Sequence, residues 1–379
     1  MRILFLFIGE PHHVFHALPI AAEMAAKGQP VEVAVASANH LRVVEQVALA
    51  YPNFKPRVTL LGQRGISRWL RARGIVRHPR VPVLLGSLLF LRRFDAIIVP
   101  ERTTTTIRHF LPRRTRLIFT PHGAGDGHRV FDDRDRHFDF ILVAGEKSEQ
   151  KLLEAGAIRP RHYAVNGYVK LDLMTRMQKA RQPLFSNDRP TVLYAPHFRP
   201  WQSSWEKFGR DIIAWFAAQD RYNLVVAPHV RLFAEASDAE RAEVERLAVP
   251  GKILIDLASD RLFDMSYTSG TDIYLGDVSS QVYEFLATPR PCLFLNAHSV
   301  EWTDHPDYLF WTLGDVVDDL ADLPEALEQA PARHSRYTEA QCERLAESIG
   351  GDPAGAASRG AEAILRFLAM DAGQDKSGG

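Results

Sequence analysis

The chain has 379 residues, 46% of them hydrophobic, which is enough for about two to three domains with cores of their own. Its 46 basic and 46 acidic residues balance, so no global charge signal for nucleic acid exists. Two cysteines, Cys292 and Cys342, give neither a disulfide framework nor zinc-ligand spacing, and no apolar run reaches the roughly 18 residues of a spanning helix.

The opening MRILFLFIGEPHHVF has too short an apolar run for a signal peptide and no small-residue cleavage site. It reads as a first strand, Ile3–Ile8, followed by a helix over about 13–27 that Gly28 closes. A strand at Val31–Ala36 and a helix over about 41–50 continue the rhythm. Further strands are expected at Val58–Leu61, Ala96–Val99, Leu117–Phe119, Phe140–Val143 and His162–Val165. Alternation of strand and helix implies a parallel sheet with helices on both faces. The rhythm pauses after Tyr168, where KLDLMTRMQKARQPLFSNDRP is polar and holds two prolines. A second series then follows, with strands at Thr191–Ala195, Asn223–Ala227, Ile253–Ile255, Asp272–Leu275 and Cys292–Leu295. The expected division is therefore a domain over 1–168, a linker over 169–189, a domain over 190–370 and a disordered tail over 371–379.

Charge is balanced overall but not locally. From Leu61 to Arg116 thirteen arginines face two acids, Asp95 and Glu101, and arginines alternate there with Trp69 and an apolar block. Residues 64–93 read either as a solvated basic face beside a buried helix or as a docking segment for an anionic membrane surface. No motif for nucleic acid accompanies them.

The polar signatures follow strands, and in a doubly wound sheet the loops after the strands share one edge, where ligands bind. FTPHGAGDGHR places His122 and Gly123 directly after a strand. His122 there either caps a turn or takes a proton from an attacking hydroxyl. LYAPHFR and VVAPHVR repeat one pattern, an apolar strand followed by Ala-Pro-His-x-Arg, and supply His197 with Arg199 and His229 with Arg231. Imidazole beside guanidinium suits the charge of a diphosphate, although packed histidines and solvated arginines are the plainer alternative. DIYLGDVSSQVYEFL sets Asp277, Ser279 and Ser280 where a strand passes into a helix, as caps or as part of an anion site. GEPHHVFH brings His13 and His16 to a helix start, suited to an acceptor contact; no carboxylate completes a metal set. Neither a phosphate loop of the GxxxxGK[ST] type nor a GxSxG elbow occurs.

In this order, His122-Gly123, NGYVKLDL, LYAPHFR, APHVRL and DVSSQVYEFLATPRPCLFLN resemble the CDP-glycerol glycerophosphotransferase family, the enzymes of teichoic-acid priming and polymerisation, over roughly residues 115–300. The resemblance implies a GT-B fold, two Rossmann-like doubly wound parallel-sheet domains facing a central cleft. It implies His122 as catalytic base, His229 as a phosphate contact, and Ser279 and Ser280 as ligands of the donor's pyrophosphate. The chain departs from the family's pattern after His-Gly, where it has AGDGHR, and before the later histidine, where it has Ala-Pro.

The expectation is thus a transferase moving glycerol phosphate from CDP-glycerol, or a similar nucleotide-diphosphate donor, to a hydroxyl of a lipid-linked or polymeric glycan, with CMP released. His122 and His229 are the expected catalytic pair. His197, Arg199, Arg231, Asp277, Ser279 and Ser280 are expected to bind donor, and His13, His16 and Gly123 acceptor. No cofactor and no metal is called for, since cations and dipoles of the protein can offset the developing charge. The expected place is cytoplasmic, peripheral on the inner face of the plasma membrane. A nucleotide-sugar glycosyltransferase of the same fold is the alternative, with an epimerase like those acting on UDP-N-acetylglucosamine behind it.

Overall fold

The computed structural model describes residues 1–62, 80–121, 132–177, 183–279, 281–350 and 352–377. They form two compact units, Met1–Met177 with Ala346–Gly379, and Gln178–Leu345.

The first unit is built on seven parallel strands: β1 (Ile3–Phe7), β2 (Val31–Val35), β3 (Arg57–Leu60), β4 (Ala96–Val99), β5 (Arg116–Phe119), β6 (Phe140–Val143) and β7 (Tyr163–Val165). Their order is β3-β2-β1-β4-β5-β6-β7. The central strands read ILFLF, AIIV and FILV without alternation, because helices cover both faces and every side chain is buried. β3 at one edge is only half-buried, and its sequence, RVTL, is correspondingly mixed.

The segment expected as a linker opens instead with a helix, Val169–Met177, whose first six residues are all buried. Asp172 within it, like Asn166 just before it, spends its polarity internally. Asp172 Oδ2 accepts the Ala357 N–H at 2.9 Å, the Asn166 side chain donates to the Ala356 carbonyl at 3.2 Å, and Arg359 Nε donates to the Asn166 carbonyl at 3.0 Å. These bonds clasp the Ala356–Ser377 helix to the first unit, whereas the sequence reading carried the second domain to 370. Close approach is possible because the helix presents small residues: a Cβ on Gly360 would stand 3.1 Å from Leu142 Cδ1 and 3.4 Å from Ile20 Cδ1. Phe367 then stacks on Phe140 at 4.7 Å. The tail expected to be disordered from 371 continues this helix to Ser377.

The second unit holds β8 (Thr191–Ala195), β9 (Asn223–Val226), β10 (Ile253–Ile255), β11 (Ile273–Gly276), β12 (Cys292–Leu295) and β13 (Asp315–Val317), all parallel, in the order β10-β9-β8-β11-β12-β13. One core lies under Tyr194, Ile212, Phe216 and Leu327, the other under Tyr274, Tyr283, Phe285 and Trp311. The chain winds outward from β8 through β9 to β10, then returns to lay β11 on the other side of β8. That reversal makes β8 and β11 the switch point, where connections part and leave a crevice at the strand ends. Ala195 pairs with Gly276 there, so the next residues of both strands emerge side by side.

Candidate diphosphate-binding site

Three loops at the carboxyl edge of the second sheet carry the expected donor residues. The loop after β8 begins Pro196-His197-Phe198-Arg199, and that after β9 begins Ala227-Pro228-His229. Because β8 and β9 are adjacent and in register, their matching Ala-Pro-His-x-Arg segments lie next to each other. The His229 N–H donates to the Pro196 carbonyl at 2.9 Å and ties one loop to the other.

This pairing brings the two imidazoles to 5.5 Å, ring centre to ring centre. Phe198 fills the space beside them, 4.6 Å from the His197 ring and 4.5 Å from the His229 ring. The Arg231 guanidinium lies over the Phe198 ring at 4.3 Å, and that of Arg199 lies 5.8 Å from it. A cation over an aromatic face is held without being neutralised. Both arginines are exposed, and no carboxylate pairs with either among the described residues.

The electrostatics follow. Burial, then repulsion from His229 where it is protonated and from Arg199 and Arg231, pushes the His197 imidazole down to about 3. Burial, then Arg231 and Arg199, push half-buried His229 down to about 4. Both rings are therefore neutral at pH 7, and the positive charge resides on the arginines. In each segment the backbone N–H of the arginine donates to its histidine's Nδ1, at 3.4 Å for Arg199 to His197 and 3.2 Å for Arg231 to His229. An accepting Nδ1 leaves the proton on Nε2. The site thus offers two N–H donors and two guanidinium groups, the equipment for phosphate oxygens.

β11 supplies Asp277 and Ser279. Asp277 is fully buried, and its Oδ2 accepts the His197 N–H at 2.8 Å and the Ser204 N–H at 2.9 Å. Burial pushes its carboxyl up to about 7, against the pull of those two N–H groups. Ser279 is buried, and its Oγ accepts the Gln281 N–H at 3.2 Å, the local cap that the sequence allowed. The helix it begins is short, Gln281–Phe285, so its dipole is small. From β12 the His298 Nε2 reaches the Ser203 carbonyl at 3.0 Å, a third hold on the loop after β8.

Residues 101–357 match the family model described as CDP-Glycerol:Poly(glycerophosphate) glycerophosphotransferase. The chain belongs to that family. It is a CDP-glycerol glycerophosphotransferase-like enzyme, and the match embraces every strand-end loop of the second sheet. No curated protein sequence matches the chain. Among solved structures, the wall teichoic acid polymerase TagF, soaked with CDPG, is 13% identical at a TM-score of 0.64, over 98% of this chain and 89% of that one. MnaA of S. aureus, in a co-structure with UDP, is 15% identical at 0.65, over 97% of each chain. The UDP-GlcNAc 2-epimerase of Neisseria meningitidis, bound to UDP-GlcNAc, is 14% identical at 0.62, over 97% of this chain and all (100%) of that one. At such identities the likeness speaks for the fold, GT-B with two Rossmann-like sheets.

In this glycerophosphotransferase the structure gathers His197, Arg199, His229 and Arg231 at one sheet edge and sets Asp277 beneath them, turned to backbone. His122, Gly123 and Ser280 lie outside the described residues, as does most of the basic stretch, 63–79. His13 and His16 belong to the first unit and are buried. His13 stands at the β1/β4 switch point, where a Cβ on Gly9 would come within 2.8 Å of its Nδ1 and 3.5 Å of Glu101 Cγ. His16 is a turn further on, its ring 5.5 Å from that of Tyr168. Sequence reasoning passed over Phe198 and His298. The aromatic between His197 and Arg199 was the available signal for the first; the second had none.

Proposed function

We propose that the chain transfers glycerol phosphate from CDP-glycerol to a hydroxyl of a lipid-linked or polymeric glycan, with CMP as the leaving group, in cell-envelope synthesis. The observation that carries the donor half is the paired Ala-Pro-His-x-Arg loops at the β8/β9 edge, two Nε2 donors and two guanidinium groups around Phe198. Family membership supplies the donor's identity. TagF, a wall teichoic acid polymerase of the same fold in a crystal soaked with CDPG, supports the acceptor class.

In this reading Arg199, Arg231 and the histidine N–H groups bind the diphosphate, joined by Ser279 and Ser280. The acceptor oxygen attacks the glycerol-bearing phosphorus. The bond from that phosphorus to the bridging oxygen breaks, and CMP departs with the oxygen. The acceptor's proton goes to His122, a role that rests on the His-Gly resemblance. Charge gathering on the phosphates in the transition state is offset by the same arginines, which need little reorganisation because the Phe198 stack already holds Arg231. His13 and His16 serve the acceptor.

A peripheral position on the inner face of the plasma membrane fits this chemistry. Among the described residues no helix is long and apolar enough to cross a membrane. Val81, Leu85 and Leu89, four apart along the two short helices Arg80–Gly86 and Leu88–Leu91, are all exposed, Leu89 at 84%. Arg92 and Arg93 follow them, also exposed. Apolar residues that enter an interface beside basic ones that meet anionic headgroups are what surface docking requires.

Product analysis tests the reaction. CDP-glycerol with a glycan acceptor should yield CMP and a product heavier by one glycerol phosphate. Release of UDP or GDP from a nucleotide sugar, with CDP-glycerol untouched, would assign the chain to sugar transfer instead.

A further inference from the structure

We infer that Asp277 is a positioning residue, an internal carboxylate that occupies the helix start after β8 and pins the loop carrying His197 and Arg199; the inference rests on the donor site proposed above. In a doubly wound unit the helix after the first strand ordinarily offers its free N–H groups to a ligand phosphate. Here part of that seat is filled from within. The chain leaves β8 at Ala195, runs through His197–Ser204, and enters a helical stretch at Trp205 that continues to Ala218. Ser204 is the residue that opens it, since the Phe208 N–H donates to the Ser204 carbonyl at 2.8 Å. The Ser204 N–H, one of the free donors of that start, goes to Asp277 Oδ2, and the His197 N–H at the loop's other end goes to the same oxygen.

One oxygen thus closes the loop on itself, across the β8/β11 switch point. The dipole of that helix start favours the ionised form and offsets part of the burial that pushes the Asp277 carboxyl up. Its other oxygen, Oδ1, has no hydrogen-bond partner among the described residues, so the two N–H bonds are what hold the side chain. The Ser204 hydroxyl is engaged by Tyr194 at 2.9 Å, which anchors the loop's far end to β8 itself. The exposed part of the loop holds Arg199 and Trp201, the latter 63% exposed, with the Arg199 guanidinium 5.9 Å from its ring. With the Ser204 N–H held by Asp277 and the Trp205 N–H by Ser203 Oγ at 3.3 Å, two donors of the helix start are already engaged, and Asp277 acts on donor through the loop and not by touching it.

The chemistry needed is an acceptor oxygen, not a charge, and this separates the variants. Asp277→Asn places an amide oxygen where Oδ2 stands; Asp277→Ala leaves both N–H groups without a partner. Titration calorimetry with CDP-glycerol should show the alanine variant weakened about tenfold or more, as for unmet buried donors, and the asparagine variant within about threefold of the parent. Hydrogen exchange over 197–204 should quicken in the alanine variant and stay slow in the asparagine variant, with exchange in β9 and β12 unchanged in both. Equal loss in both variants, or full affinity and slow exchange in the alanine variant, overturns the inference. Arg231→Gln, in a loop Asp277 does not touch, distinguishes the underlying reading. If that variant binds CDP-glycerol like the parent, the donor site is wrong, and the exchange measurement still decides whether Asp277 holds the loop.

Discussion

His197 and His229 stand 5.5 Å apart, ring to ring, on neighbouring strand ends, and each accepts at Nδ1 the backbone N–H of the arginine two residues on. The repeat in sequence is thereby a repeat in space, and it sets the protonation state of both rings. Two neutral imidazoles with N–H at Nε2 and two exposed guanidinium groups put the charge of the proposed donor site at its rim.

Arg231 is the firmest of these groups, since its guanidinium is stacked on Phe198 at 4.3 Å. Arg231→Gln should lower affinity for CDP-glycerol about 10- to 100-fold, the worth of charge-assisted hydrogen bonds of ~1.5–3 kcal/mol. Arg231→Lys keeps the charge but loses the flat stack, and should fall between. Titration calorimetry of the three proteins checks this; a lysine variant equal to glutamine would mean that planarity alone matters.

Donor binding should take up protons. Free His229 titrates at about 4 and free His197 at about 3 because burial and the arginines oppose a further positive charge. A bound diphosphate reverses that field and raises both. Affinity for CDP-glycerol should therefore tighten as pH falls from 8 towards 5.5, and the calorimetric enthalpy should vary with the ionisation enthalpy of the buffer. Asp277, at about 7 when free, shifts upward beside an anion too and adds in the same direction. Affinity independent of pH and buffer would show that no group in the site gains a proton.

The same histidines should cost stability in acid. Their folded values lie below the ordinary 6.5, so below about pH 6.5 the unfolded chain binds more protons, and stability falls as pH drops towards about 4. At pH 5 the loss is on the order of 1 kcal/mol per histidine once solvent screening is allowed for. His197→Gln with His229→Gln should flatten the decline in urea midpoint between pH 7 and pH 5 relative to the parent. Parallel declines would place the acid sensitivity elsewhere.

Much of the architecture was legible, for one reason: strands buried on both faces are unbroken apolar runs. Ala96–Val99, Phe140–Val143, Thr191–Ala195 and Cys292–Leu295 could be bounded to the residue. β13 escaped because it is three residues at a sheet edge, DVV, with no run to see. The stretch WTDHPDYLFW mixes acids and aromatics with no strand or helix period, yet Tyr308, Phe310 and Trp311 pack into the second unit's core. The destination of the Ala356–Ser377 helix was invisible because an apolar face does not say which unit covers it; the clasp by Asn166 and Asp172 decides that, across almost two hundred residues. At the site, the doubled Ala-Pro-His-x-Arg motif placed the cluster. What no spacing could reveal is whether Asp277 faces a ligand or the backbone, a matter of one side-chain rotation.

Surface docking should depend on Leu85 and Leu89. Replacing both with serine removes about 1.5–3 kcal/mol of interfacial burial per leucine at full insertion. Sedimentation with vesicles rich in anionic lipid should fall about tenfold or more, while CDP-glycerol binding in solution is unaffected. Binding that survives the double change and is insensitive to salt would assign membrane contact to another surface.

The most direct measurement is a crystal of the protein soaked with CDP-glycerol. Its diphosphate should be found against the Arg199 and Arg231 guanidinium groups, within hydrogen-bond distance of Nε2 of His197 or His229, with Asp277 still bound to the loop backbone. A donor diphosphate lodged away from the β8 and β9 loops, with those four side chains making no contact to it, would contradict the site at its root.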